Sequence, residues 1–408
     1  MRSMVKRTPA RPRSLAHRTS PWVVLVASIA MDATALVPVG LTGAFAITLQ
    51  EDLGVGSGFI GITVTAFFLT GSLTAVTAGA RIDAFGSRKT ACGAVALTAL
   101  AAWLIAGLGL FHVAVVGGSM LAGAAFSMAM PATNAILGSV MPANRRILAV
   151  CIKQSAVPVS LLLATISVPV FEHAGGWRTS YALAGVMAVL VVGYFARVTR
   201  HPIPQSSPAD DGAVAISGRA AQRTVARFGI GSMLASLLPG ALTGFAALSL
   251  TEAGSEPALT ALVLTVANAS GITVRLLSGV VAQRYNLRSW LPVTMMMIVG
   301  SVGAFFLATG VLWLMIVGAL LAFGLGWGWS GLTYALVLVS NPDNPGSTGA
   351  LLQAGGMLGS ASGPLLMAAT VDSFGLAGGW MGVGTAILIA GIVVAPGTRR
   401  RTTDSERS

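Results

Sequence analysis

Apolar stretches recur along this chain, each about as long as the hydrocarbon core of a bilayer is thick. A helix that spans a membrane needs about 20 mostly apolar residues at about 1.5 Å of rise each. Such runs fall at 22–49, 58–80, 90–110, 113–140, 148–171 and 180–198, and again at 225–250, 258–281, 290–309, 311–340, 347–371 and 376–395. Between the two sets lies a polar stretch, 199–224, with Pro202, Pro204, Pro208, Asp210 and Asp211 and no apolar periodicity. The expected fold is an all-α membrane protein of twelve transmembrane helices, arranged as two six-helix halves.

Composition agrees. Of 408 residues, 54% are hydrophobic and only 9% charged, where soluble domains carry roughly a quarter charged. So few charges cannot solvate a globular surface, and hydrocarbon must do part of the solvent's work. Fifty glycines suit helices that pack closely through small residues. Cys92 and Cys151 do not make a disulfide scaffold.

The net charge of +12 would raise the question of nucleic acid in a soluble protein. Its placement answers otherwise. With the N-terminus inside, every Lys and Arg falls in a cytoplasmic segment except Arg178, outside, and Lys153 and Arg275, within helices. That is the positive-inside bias of an even number of spans with both termini cytoplasmic. The organisation expected is a basic cytoplasmic tail over 1–20, a first bundle over 21–198, a cytoplasmic linker over 199–224, a second bundle over 225–396 and a tail over 397–408. The run after the basic stretch contains Asp32 and outlasts a signal h-region of roughly 7–15 residues, which favours a tail over a cleaved leader.

The halves match at an offset near 200. Leu41-Thr42-Gly43 recurs as Leu242-Thr243-Gly244, and Pro38 as Pro239. Gly79 answers Gly279, Thr133 and Ala135 answer Thr333 and Ala335, and Gln154 answers Gln353. Gly175-Gly176-Trp177 answers Gly378-Gly379-Trp380. Two such halves can pack about an axis along the membrane normal and rock around a cavity between them.

With this organisation the chain resembles the major facilitator superfamily, over nearly all of its length outside the tails. The most specific piece is the loop after the second run, Gly79-Ala80-Arg81-Ile82-Asp83-Ala84-Phe85-Gly86-Ser87-Arg88-Lys89. The family pattern has a basic residue where Ala84 stands. A degenerate copy, Arg275 to Arg284, carries Gly279 and has Gln283 at the acidic position. The resemblance implies that Gly79, Asp83, Gly86, Arg88 and Lys89, with Gly279 and Arg284, form a conformational latch on the cytoplasmic side. A short basic loop that only anchors topology is the alternative. Lys153-Gln154-Ser155-Ala156-Val157-Pro158, and Gly355 to Gly359 with Gly363-Pro364, resemble stretches of the family's carriers of small metabolites and organic solutes. The fourth run lacks the central Arg of many proton-coupled drug antiporters.

Charged residues inside a membrane cost several kcal/mol unless they are paired, protonated or facing water. Asp32 lies near the midplane, and reads either as a coupling or substrate residue or as half of a structural pair. Lys153 either snorkels to the interface, neutralises an anionic solute, or pairs with Asp32. Arg275, near a helix end, either snorkels or joins the site. Asn134 and Tyr334 sit at equivalent repeat positions, and bond a solute or hold helices together. Gln154 and Gln353 are expected to face one cavity from opposite halves. Trp22, Trp177 and Trp380, near run ends, read as interfacial anchors. The four histidines lie in tails or loops, which concentrates any proton coupling on Asp32.

The functional expectation is secondary active transport of a small anionic organic solute, coupled to protons, by a monomer in the plasma (inner) membrane. Proton-driven efflux of amphiphilic compounds is the alternative within transport, and a non-transporting receptor or assembly protein the alternative outside it. No nucleophile–base set, metal cluster or Walker loop is present, so neither an enzyme nor a cofactor is expected, and no nucleic-acid partner.

Overall fold

The structure is a computed structural model that describes residues 19–200, 219–285, 289–340 and 345–395. The helices in chain order are α1 Pro21–Ala44, α2 Ala46–Leu53, α3 Ser57–Phe85, α4 Ser87–Leu108, α5 His112–Val140, α6 Arg146–Lys153 and α7 Ala156–Phe171. They continue as α8 Gly176–Val198, α9 Arg219–Ala235, α10 Leu237–Glu252, α11 Pro257–Arg284, α12 Leu291–Leu307, α13 Leu312–Ser340 and α14 Pro345–Val394. Among the described residues ten segments are long and apolar enough to cross a bilayer, with α6–α7 and α9–α10 each counted as one. The expected run over 290–309 is the shorter α12, and the last two runs are the arms of α14 either side of Gly375 (φ 63°, ψ −177°).

Local chemistry sets the breaks. Pro158 has no N–H for the Gln154 carbonyl, and Pro239 none for Ala235; α6 gives way to α7 at Gln154–Ser155, and α9 to α10 at Ser236. Gly86, at φ 80° and ψ 147°, joins α3 to α4 with no intervening loop, a conformation that a Cβ would disfavour.

Buried apolar residues form two large clusters. One is built on α1, α3, α4, α5 and α8, and takes in Met357 and Ala361 of α14. The other is built on α9 to α14, and takes in Leu161 of α7. Those crossings name the seams: α3 packs on α14, and α11 packs on α6 and α7. Within the second half, the stripe Gly355, Gly359 and Gly363 lies on the backbone of α9 and α10. A Cβ on these three would stand 2.8, 1.9 and 2.2 Å from the carbonyl oxygens of Gly229, Met233 and Leu237. The carrier-like glycine motif is thus occupied with helix packing.

Trp177 and Trp380 correct the sequence reading. Both are fully buried. Their indoles donate to Asp52 Oδ2 and Ser249 Oγ, each at 2.8 Å. A buried indole N–H needs a partner, and these two tie the start of α8 to α2 and the start of α14's second arm to α10. Trp22, 39% exposed, keeps an anchor's position.

Candidate functional site

Asp32 sits in mid-α1 with its side chain turned into the bundle. Its Oδ2 accepts from Lys153 Nζ at 2.5 Å and its Oδ1 from Thr133 Oγ1 at 2.8 Å. Lys153 also reaches the Met130 carbonyl at 3.4 Å. Asp32 and Lys153 are 3% and 2% exposed. Lys153 therefore does not snorkel. As the last residue of α6, it is aimed across α5 at α1 where the helix breaks.

Only the first half is built this way. At the repeat offset, the positions of Asp32 and Lys153 are Met233 and Leu352. Thr333, which matches Thr133, keeps a buried hydroxyl with no partner among the described residues. The repeat preserved the threonine without the carboxylate it serves in the first half.

Arg275 does not snorkel either. It is 1% exposed, and its Nη1 donates to Gly271 O at 3.0 Å and its Nη2 to Trp327 O at 2.8 Å. Its Nε is buried without a partner, and no carboxylate of the described residues pairs with it. The side chain lies where the halves meet. A Cβ built on Gly331 of α13 would touch Arg275 Cγ at 3.6 Å, and Cys151 Cα of α6 and Gln154 Cβ just past its end at 3.7 Å. Cys151 Sγ is 3.5 Å from the Gly331 carbonyl. Gly279 lets α11 approach so closely that a Cβ there would stand 2.6 Å from Cys151 Cβ. Nothing in the sequence alone singled out Cys151 for this seam.

The uncharged candidates divide unequally. Gln154 is buried, with its stem toward Gly331 of the other half. Gln353 Oε1 accepts from Tyr334 Oη at 2.5 Å, a bond within the second half between two partly exposed side chains. Asn134 is partly exposed on α5, and no side-chain bond of it occurs among the described residues.

At the end of the bundle away from Pro21 the halves touch directly. A Cβ on Gly43 would lie 2.1 Å from the Thr243 carbonyl oxygen. Beside this contact is a cleft lined by Ile47, Gln50, Ile60, Phe245 and Leu248. It holds no titratable side chain, so it marks the parting of the halves and not the charged site.

Comparison with known proteins agrees with this architecture. The family model of the Major Facilitator Superfamily matches residues 23–313. The chain belongs to the major facilitator superfamily. It is a multi-pass integral membrane protein of a transporter fold. Among solved structures it is similar to the crystal structure of the human organic anion transporter MFSD10 (TETRAN), with a TM-score of 0.71 and 14% identity. That alignment covers 92% of this chain and 99% of the other. No curated protein matches the sequence.

The superfamily loop motif can now be placed. Gly79 has no atom near enough to touch a Cβ, so in this conformation it makes no close approach; its repeat mate Gly279 does. Arg88 Nη2 donates to Ala196 O at 2.8 Å, in the last turn of α8 of the same half. Lys89 and Arg284 are exposed. Asp83 is in the last turn of α3, and its side chain lies outside the described residues.

Proposed function

We propose that this superfamily member is a secondary active transporter that carries a small organic anion together with a proton by alternating access. The observation that supports this most is the buried Asp32–Lys153 pair. With the carboxylate ionised the pair is neutral and closed. Protonation of Asp32 removes the counter-charge of Lys153, and an ammonium left alone in a dry bundle is costly. A solute anion restores neutrality. Proton and anion therefore load together and leave together, and the halves rock only when the bundle's charge is compensated.

Gln154 and Asn134 of the first half, with Tyr334 and Gln353 of the second, are the polar groups available to orient the solute. The end carrying Arg81, Arg88, Lys89, Arg145, Arg146, Arg197, Arg200 and Arg284 has the charge bias of a cytoplasmic end; in this reading both termini face the cytoplasm and the membrane is the plasma (inner) membrane. Gly79, Asp83, Gly86, Arg88 and Lys89 serve as the cytoplasmic latch when the halves close on that side. The printed description of MFSD10, an organic anion transporter, is in keeping with an anionic solute. A scaffold or receptor has no use for a proton-sensitive pair at a helix break. One chain suffices for the cycle.

The test is uptake of a panel of labelled small carboxylates into proteoliposomes with and without an imposed pH gradient. Uptake driven by the gradient and lost in Asp32→Asn supports the reading. Carboxylate uptake indifferent to the gradient, or equal in Asp32→Asn, overturns the coupling.

A further inference from the structure

Resting on that anion-transport reading, we infer that Arg275 is the second half's fixed anion seat: a permanent guanidinium at the seam that receives the solute's oxyanion when α6 moves off α11. Lys153 is then a conditional partner, released by protonation of Asp32, whereas Arg275 is always charged. The carboxylate-bearing solute meets one cation from each half.

Three observations converge on this seat. The first is charge. A guanidinium stays protonated in proteins, and a buried charge without a counter-ion costs several kcal/mol. Arg275 has only the Gly271 and Trp327 carbonyls to offset it among the described residues. Two carbonyl dipoles leave a net positive charge, and that charge calls for an anion in some state of the cycle.

The second is an open donor. With Nη1 and Nη2 engaged, the Nε–H is buried and unpartnered. An oxyanion arriving on that edge gains a charge-assisted bond without breaking the two that hold the side chain in place. The donor is thus already oriented, and little ordering cost falls on binding.

The third is position. Arg275 lies beside the place where Gly331 meets Cys151 and Gln154 of the opposite half, and that contact must part if the halves rock. The seat is closed here and opened by the motion itself. The second half has neither a carboxylate at Met233 nor an amine at Leu352, and among the described residues Arg275 is its buried charge.

Cys151, at that contact with Gly331, makes the potential beside Arg275 measurable without knowing the solute. In Cys92→Ser full-length protein reconstituted in lipid, Cys151 is treated with a sulfonate-bearing and with a trimethylammonium-bearing methanethiosulfonate of matched size. The reactive thiolate is modified by disulfide exchange, with sulfinate as the leaving group. Relative to the two reagents' rates with a free thiol in solution, the sulfonate reagent is expected to react about tenfold faster or more, as an anion drawn to a cleft of opposite sign. That preference disappears in Arg275→Gln and survives in Arg275→Lys. Equal rates, or a preference unchanged in Arg275→Gln, overturn the proposal. So does failure of both reagents to reach Cys151, because the seat then never opens. If Arg275→Gln does not purify as a folded protein, ionic strength decides with the native arginine: the preference must shrink as salt rises, and a salt-independent preference sinks the idea. The reagent preference must persist in Asp32→Asn. Its loss there refutes an independent seat, while its persistence there, with uptake by the native protein indifferent to the gradient, removes only the proton coupling.

Discussion

Lys153 Nζ lies 2.5 Å from Asp32 Oδ2 across 121 positions of sequence, with both side chains almost wholly inaccessible to solvent. Thr133 holds the other carboxylate oxygen.

Breaking the pair from one side leaves a buried charge alone. Asp32→Asn or Lys153→Met should each destabilise the protein by about 3–5 kcal/mol, whereas the double variant should lie close to wild type, since an apolar replacement of a buried pair is often neutral. Denaturation midpoints in detergent for the four proteins complete the cycle. Additive losses in the double variant would show that the two residues do not act as a pair.

Thr133→Val keeps the shape and removes the hydroxyl. A hydrogen bond to a charged group is worth about 1.5–3 kcal/mol, and a loss of that size is expected. Thr133→Ser should recover most of it. In the second half, Thr333→Val should be neutral or stabilising, because the Thr333 hydroxyl is buried with no partner among the described residues. The same midpoints measure all three.

Gly43 sets how closely α1 approaches Thr243 of α10. Gly43→Ala forces the carbonyl away, and overpacking of this kind costs about 1–3 kcal/mol. Paid only when this end is closed, that cost shifts the equilibrium roughly 5- to 150-fold toward open. Maleimide labelling of a cysteine placed at Leu248, in the neighbouring cleft, should rise accordingly. Unchanged labelling would mean that this contact does not gate the end.

Gly359→Leu probes the glycine stripe. With a Cβ already 1.9 Å from the Met233 carbonyl oxygen, no rotamer relieves the clash, and α14 must move off α9. The protein should lose stability by more than the few tenths of a kcal/mol expected of an exposed site. A variant as stable as wild type would return the stripe to the solute pathway.

The apolar runs were readable because a bilayer demands length and hydropathy before anything else, and Pro158 and Pro239 mark where the α6–α7 and α9–α10 spans break. The repeat was readable from Leu41-Thr42-Gly43 and its copy. The partner of Lys153 was not. A helix carries Lys153 toward the interface or toward Asp32 with equal ease, and only the break at Gln154 decides. Trp177 and Trp380 looked like anchors because position near a run's end does not say which way an indole faces. Their bonds to Asp52 and Ser249 are tertiary facts. Gly79 and Gly279 are matched in sequence and unlike in contact, one free and one against Cys151, since a seam favours one conformation at a time.

The coupling claim is tested most directly by distance. Nitroxides at Gln50 and Leu248, one on each half beside the Gly43–Thr243 contact, report whether that end is open, and electron-resonance distances in lipid need no solute. The distance distribution should change when the medium is acidified in the otherwise native protein and should stay the same in Asp32→Asn. A distribution that ignores pH in the native protein, or that shifts as much in Asp32→Asn, would contradict it.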